Sequence, residues 1–119
     1  MISDERFPKE ERLAKTKDFR RVYKEGAFFK KSGLIFYYLP NTLDRNRIGF
    51  SIRSSNIKLA NRRNRIRRLL KEVYRTRKKI LKKGFDIVFV VKRDLPKKIA
   101  YKNIEDLFLK LAKEAGIVL

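Results

Sequence analysis

No histidine and no cysteine occur among the 119 residues of the chain. Without them there is no imidazole base, no thiol nucleophile and no zinc site of the usual kind. A disulfide framework is excluded too, which suits a reducing compartment. Acid is scarce: 13 Asp and Glu stand against 33 Lys and Arg, leaving a formal net charge of +20. Long apolar runs are missing. The longest, residues 34–39 and 87–91, fall far short of the ~20 residues that a membrane helix needs. Residues 1–6 lack the apolar stretch of a secretory signal. The expectation is a cytoplasmic protein with no membrane partner.

What is present is enough for one real core. Hydrophobic residues make up 43% and aromatics 12%, and a chain of this length buries roughly two-thirds of its unfolded surface. Residues 1–119 therefore read as a single domain, with 1–15 as an extended, partly mobile arm. A charge of +20 on so small a body works against its own compaction, and the usual reason to hold it is a polyanionic partner. Nucleic acid leads, ahead of an anionic membrane surface or an acidic protein.

The chain divides by its hydrophobic periods. Thr16 is a candidate cap for a short helix in which Phe19, Val22 and Tyr23 share a face and which Gly26 ends. Residues 27–31 form a short strand, and the run 34–39 is β in composition. Ile48, Phe50 and Ile52 alternate with Arg47, Gly49, Ser51 and Arg53, as in a half-buried strand antiparallel to its predecessor. A long helix comes next, ending near Lys83 before Gly84, with Ile66, Leu69, Leu70, Val73 and Ile80 as its stripe. Residues 85–92 read as a strand covered on both faces. A last helix carries Ile104, Leu107, Phe108 and Leu111 and is closed by Gly116. The order αβββαβα gives an α+β sandwich, with helices packed on a small four-stranded sheet.

The charge is concentrated. Between Arg53 and Lys83 lie 14 basic residues and one acid, Glu72. At about 100° per residue, Asn64, Arg68, Lys71 and Arg75 lie opposite the apolar stripe, with Arg65 and Arg67 on the flanks. Asn61 is a plausible N-cap, and Ser55 and Asn56 are others. Arg62, Arg63 and Arg65 then crowd a first turn that favours Asp or Glu. Breaking a local rule without visible compensation points to function, and a bound phosphate would resolve the conflict. The plainer reading of such a run is a solvated basic helix face.

The segment Arg63-Asn64-Arg65-Ile66-Arg67-Arg68-Leu69-Leu70-Lys71 resembles the hallmark Arg-Asn-Arg helix of the protein component of bacterial ribonuclease P. Asp18-Phe19-Arg20-Arg21-Val22-Tyr23-Lys24-Glu25-Gly26 and Arg47-Ile48-Gly49-Phe50-Ser51-Ile52 are similar to two further family motifs, in family order, and the likeness spans residues 12–112. The chain departs from the family at Lys58-Leu59-Ala60, where many members have Gly-Asn-Ala, and at Tyr23, commonly Phe.

The resemblance implies a fold shared with a ribosomal-protein domain, with the Arg helix in a left-handed crossover. It implies an accessory subunit that carries no catalytic group and binds no metal, its partner RNA cleaving precursor tRNA at the 5′ end with RNA-bound Mg2+. Arg62, Arg63, Asn64, Arg65, Arg67, Arg68 and Lys71 would contact ribonuclease P RNA, one protein to one RNA. Phe19, Tyr23, Phe36, Tyr37 and Arg20 would line a cleft for the single-stranded 5′ leader. Single strands do bind where aromatic faces line a positive groove, although a stripe residue such as Phe19 reads equally as core.

Two rivals remain at this level. A protein-only nuclease needs clustered carboxylates for magnesium, whereas the acids here are scattered and none is followed two residues on by Lys. A ribosomal-type structural RNA-binding protein with no part in cleavage has the same composition. DNA binding is less favoured, because no helix-turn-helix spacing is present.

Overall fold

A computed structural model describes residues 7–119. The main elements are α1 (Thr16–Glu25), β1 (Ala27–Lys31), β2 (Leu34–Pro40), β3 (Arg47–Ser51), α2 (Ala60–Arg77), β4 (Phe85–Val91) and α3 (Tyr101–Glu114). The strands form one four-stranded sheet in the order β1-β2-β4-β3. β1 and β2 form an antiparallel hairpin. Its two-residue turn, Ser32-Gly33, has φ of 51° and 82°, the positive values that this tight connection requires at both positions. β4 runs antiparallel to β2 and parallel to β3, so α2 is the crossover between β3 and β4. The sequence expectation for β3 thus holds for its direction relative to β2 but not for adjacency, because β4 is inserted between them.

Strand alternation sorts the core into two unequal parts. Leu34 and Phe36 of β2, Ile48 of β3, and Ile87, Phe89 and Val91 of β4 face one side, where they join Ile66, Leu70, Val73 and Tyr74 of α2 and Ile104, Phe108 and Leu111 of α3. Each such buried side chain contributes about 1.5–3 kcal/mol. The other face has a much smaller cluster, in which Leu13, Val22 and Val88 are buried and Phe19, Tyr37, Leu39 and Val90 pack around them. Among the described residues, the ten-residue α1 is the one helix that lies across it, with Leu13 beside it. β4 is therefore apolar on both faces, as its unbroken run requires.

Helix boundaries differ from the sequence reading in three places. α1 begins at Thr16 itself, with Lys15 at the N-cap. α2 begins at Ala60 with Leu59 at the N-cap and no side-chain cap, so Asn61, Ser55 and Asn56 do not serve. It ends at Arg77, and a single 3-10 turn, Lys78–Ile80, comes after it. That tighter turn carries Ile80 off the apolar stripe and leaves it exposed. Gly84 (φ 96°) leads into β4 rather than ending the helix.

Residues 7–15 lie against the sheet and cover the edge of β3. Arg12 bridges Ile48 in parallel, and the Leu13 amide donates to the Ile48 carbonyl at 2.8 Å. Phe7 sits edge-on to Phe50 and Tyr74. The Tyr74 hydroxyl donates to Glu11, which also receives Lys78. Burial and the Glu11 carboxylate both push the Tyr74 hydroxyl well above its ordinary pKa. The remainder of the expected arm, residues 1–6, lies outside the described residues.

α1 is held over the sheet by a buried charge. Asp86 of β4 is fully buried. It takes a two-pronged contact from Arg47 of β3, at 2.8 and 2.7 Å, one bond from Arg21 of α1, and one from Asn41 at 3.0 Å. Burial alone would push this carboxyl up. The donors Arg47 and Asn41 and the charges of Arg47 and Arg21 outweigh it, holding Asp86 below the usual carboxylate value. Beside this network Gly49 leaves room for Phe19, since a Cβ there would lie 2.5 Å from the Phe19 ring.

Replacing Asp86 by Ala is expected to lower unfolding stability by about 3 kcal/mol, because two arginines lose their buried counter-ion. The folded-state pKa is lowered, so Asp86's contribution is complete above the ordinary carboxylate range and is lost as pH falls through the folded value. Urea titrations from pH 7 to pH 3 should show the wild-type advantage over Asp86→Ala shrinking below about pH 4. An advantage constant over that range would show that the charge is not what holds α1.

Candidate nucleic-acid interface

α2 starts without the usual compensation for its dipole. Its first turn has no acidic residue and no side-chain cap. The arginines there are held instead by main-chain oxygens. Arg63 donates to the carbonyls of Ile57 and Lys58, both at 2.9 Å. Arg62 reaches Leu95 and Pro96, and Arg65 reaches Ile99 at 2.6 Å. A carbonyl orients a guanidinium without cancelling its charge. These side chains are positioned while their charge stays available.

Pairing changes along the helix. Arg75 meets Glu72, Arg77 meets Glu105, and Lys78 meets Glu11. The Arg75 hydrogen bond holds Glu72 below its ordinary pKa. Nearer the N-terminus of the helix no acid among the described residues is in contact. Asn64, Arg65, Arg68 and Lys71 are exposed, and Arg67 donates to Asn64 at 3.1 Å. Among the described residues Arg68 and Lys71 make no hydrogen bond or ion pair. The excess charge of the helix is thus left open at one end.

The half-covered sheet face carries the second surface. Phe19 and Tyr23 of α1 have ring centroids 6.3 Å apart, and Tyr23 and Tyr37 of β2 are 5.0 Å apart. Beside them runs a groove of about 440 Å³ with Ile35 and Val90 on its floor. Tyr23 and Tyr37 line one side, and Arg53, Lys92 and Arg93 line the other with Asn56. Arg20, exposed on α1, and Phe19, packed into the small cluster against Gly49, are not among the residues that line the groove.

Phe36 does not belong to this surface. It is fully buried on the opposite sheet face, 5.2 Å from Phe89 and 6.4 Å from Phe108. Consecutive strand residues point to opposite faces, so Phe36 and Tyr37 cannot line one cleft. In return the structure adds Arg53, Lys92 and Arg93. Their signal was present in the sequence. Arg53 lies just past β3 and Lys92-Arg93 just past β4, and parallel strands bring their C-terminal ends to the same end of the sheet. The two surfaces meet there, because Arg62 and Arg65 hold carbonyls of the loop that begins at Lys92.

The sequence pattern of the family described as Ribonuclease P matches residues 7–116. A Clostridium botulinum (strain Loch Maree / Type A3) protein named Ribonuclease P protein component is 38% identical over 110 residues, covering 92% of this chain and 97% of its own length. The chain belongs to the ribonuclease P protein family.

A Clostridioides difficile (strain 630) family member is 41% identical over 106 residues, covering 88% of this chain and 91% of its own. The solved ribonuclease P protein of Thermotoga maritima superposes with a TM-score of 0.79 at 28% identity, over 87% of this chain and 96% of that one. The Staphylococcus aureus ribonuclease P protein has the same fold, with a TM-score of 0.82 at 24% identity, over 92% and 98% of the two chains. Family membership decides between the two RNA-binding readings. The chain is a protein subunit of ribonuclease P, the endonuclease of tRNA 5′ maturation, and its partner in that ribonucleoprotein is RNA. Among the described residues no helix is long and apolar enough to cross a membrane.

The two aromatic sets should separate in stability measurements. Phe36→Ala is expected to cost about 3–5 kcal/mol, as for a buried ring leaving a cavity. Tyr23→Ala, which removes a half-open ring, should cost about 1 kcal/mol or less. Thermal or urea unfolding checks both. Equal losses would place Tyr23 in the core and not on a binding face.

Proposed function

We propose that this subunit binds two RNAs on two connected surfaces and supplies no chemical group to cleavage. The exposed N-terminal half of α2, through Asn64, Arg65, Arg67, Arg68 and Lys71, contacts ribonuclease P RNA. Arg62 and Arg63 serve this surface by fixing the loops on either side of it. The groove between α1 and the open sheet face holds the single-stranded 5′ leader of precursor tRNA, with Tyr23 and Tyr37 as stacking faces, the Phe19 ring packed beside Tyr23, and Arg53, Lys92 and Arg93 toward the phosphates. Mg2+ ions for hydrolysis are held by the partner RNA. The assembly is one protein to one RNA, in the cytoplasm.

The observation that carries this reading is the uneven cover of the sheet. One face is sealed by α2 and α3. The other keeps a groove with rings on one side and cations on the other. Stacking tolerates any base, and backbone charge tolerates any sequence, which is what variable leaders demand.

Reconstitution with a bacterial ribonuclease P RNA at low magnesium tests the whole reading: accurate 5′ cleavage should appear on adding the protein. Arg68→Ala and Lys71→Ala should each weaken binding to that RNA and reduce the slope of log affinity against log salt by about one. Unchanged slopes would remove α2 from the phosphate backbone. Tyr37→Ala should weaken precursor binding by ~1–3 kcal/mol and leave mature tRNA unaffected. Equal losses for the two RNAs would remove the leader from the groove.

A further inference from the structure

The row of rings does not stop at Tyr37. Phe28 of β1 lies directly across from Tyr37 in the β1–β2 register. Its ring centroid is 5.2 Å from that of Tyr37, at a tilt of 37°. It is 52% exposed, an unusual state for phenylalanine. β1 does not need it for packing, because Phe29 makes that strand's core contact and stacks on Tyr38 from the other face.

The surroundings of Phe28 are cationic. Two residues along β1, on the same face, Lys30 pairs with Ile35. Ile35 lies on the floor of the leader groove and also of a second hollow, of about 330 Å³, beyond it. Lys30, Lys31 and Lys92 line that hollow, with Asp94 as its one acid. Rings and charge therefore continue together from α1 across β2 to the sheet edge.

We infer that Phe28 is a third base-stacking position, extending the single-stranded RNA path beyond Tyr37 to the open edge of the sheet, with Lys30 beside the phosphate. The inference rests on the leader-groove reading and adds to it a length: the protein senses leader nucleotides that a groove ending at Tyr37 would not reach. A polyanion whose bases are unstacked is the occupant that matches an exposed ring among lysines. A protein partner is the competing occupant, and the test separates the two.

The experiment measures affinity of the reconstituted protein–RNA complex for precursor tRNAs whose leaders are shortened one nucleotide at a time. Phe28→Ala should weaken binding of long-leader precursor by about tenfold, the worth of one stacked base. It should become indistinguishable from wild type once the leader is too short to reach β1. Phe28→Tyr should keep wild-type affinity. Phe28→Leu, which retains bulk on β1 without a π-face, should behave as Phe28→Ala. Wild-type affinity of Phe28→Ala at every length would overturn the inference, and so would a loss that persists on mature tRNA. A Phe28→Leu variant equal to wild type would assign the effect to bulk alone and overturn stacking. If sedimentation shows Phe28→Ala altering self-association while leader affinity is unchanged, the ring is a protein contact and the inference fails. Tyr37→Ala separates the two levels. If it loses long-leader affinity while Phe28→Ala does not, only the extension falls. If neither loses affinity, the groove reading falls with it.

Discussion

The buried carboxylate of Asp86 is the constraint on which the open sheet face depends. α1 is short, and its apolar contact with the sheet is small, built around Val22 and Phe19. Hydrophobic burial of that size does not by itself fix the angle of a ten-residue helix. A carboxylate with donors from α1, β3 and the loop after β2 does, because each donor has a direction. Arg47 presents two nitrogens to the two oxygens of Asp86, a geometry that Lys could not reproduce. With α1 fixed over β2 and β4 at the end of the sheet where Asp86 lies, the opposite end of that face stays uncovered.

Four of the chain's acids have a shared use. Asp86 and Asp18 bind the arginines that seat α1, Glu11 ties residues 7–15 to Tyr74 and Lys78, and Glu105 meets Arg77. They neutralise charge where elements must be joined. At the start of α2, where orientation is needed and neutrality is not, main-chain carbonyls replace them. A helix N-terminus crowded with arginine is tolerable in the free protein only because each of those side chains has a neutral acceptor, and it remains receptive to phosphate.

Much of this was legible from residues alone. Periodicity and composition placed the three main helices and the four strands, and the Arg-Asn-Arg segment singled out the helix whose exposed cations have no acid partner among the described residues. The remainder was hidden for specific physical reasons. The β3–β4 pairing joins strands separated by a whole helix, and no local pattern reports which strand is inserted beside another. The start of α2 was misplaced because Leu59 has no capping group, so a rule built on caps looked for one at Asn61. Phe36 comes to the cleft set with the family resemblance, and strand parity, which puts it on the face opposite Tyr37, excludes it. Gly49 was read as part of a polar face, when it is the gap that admits Phe19. Arg53, Lys92 and Arg93 were visible as charges, but only the parallel pairing brings them to one end.

The meeting of the two surfaces at that end has a consequence for how partners arrive. The cations of α2 that lack an acid partner among the described residues come before its last turns, and α2 begins at the end of the sheet that carries Arg53, Lys92 and Arg93, while Arg75 and Arg77 near its other end are tied up in ion pairs. The open charge that α2 carries is therefore uneven along its axis. In solution at modest ionic strength, a large polyanion exerts a torque on such a body before contact and turns the unpaired end toward itself. Encounters would then be weighted toward the productive orientation, and the ion-paired end of α2 would meet RNA less often than its area predicts.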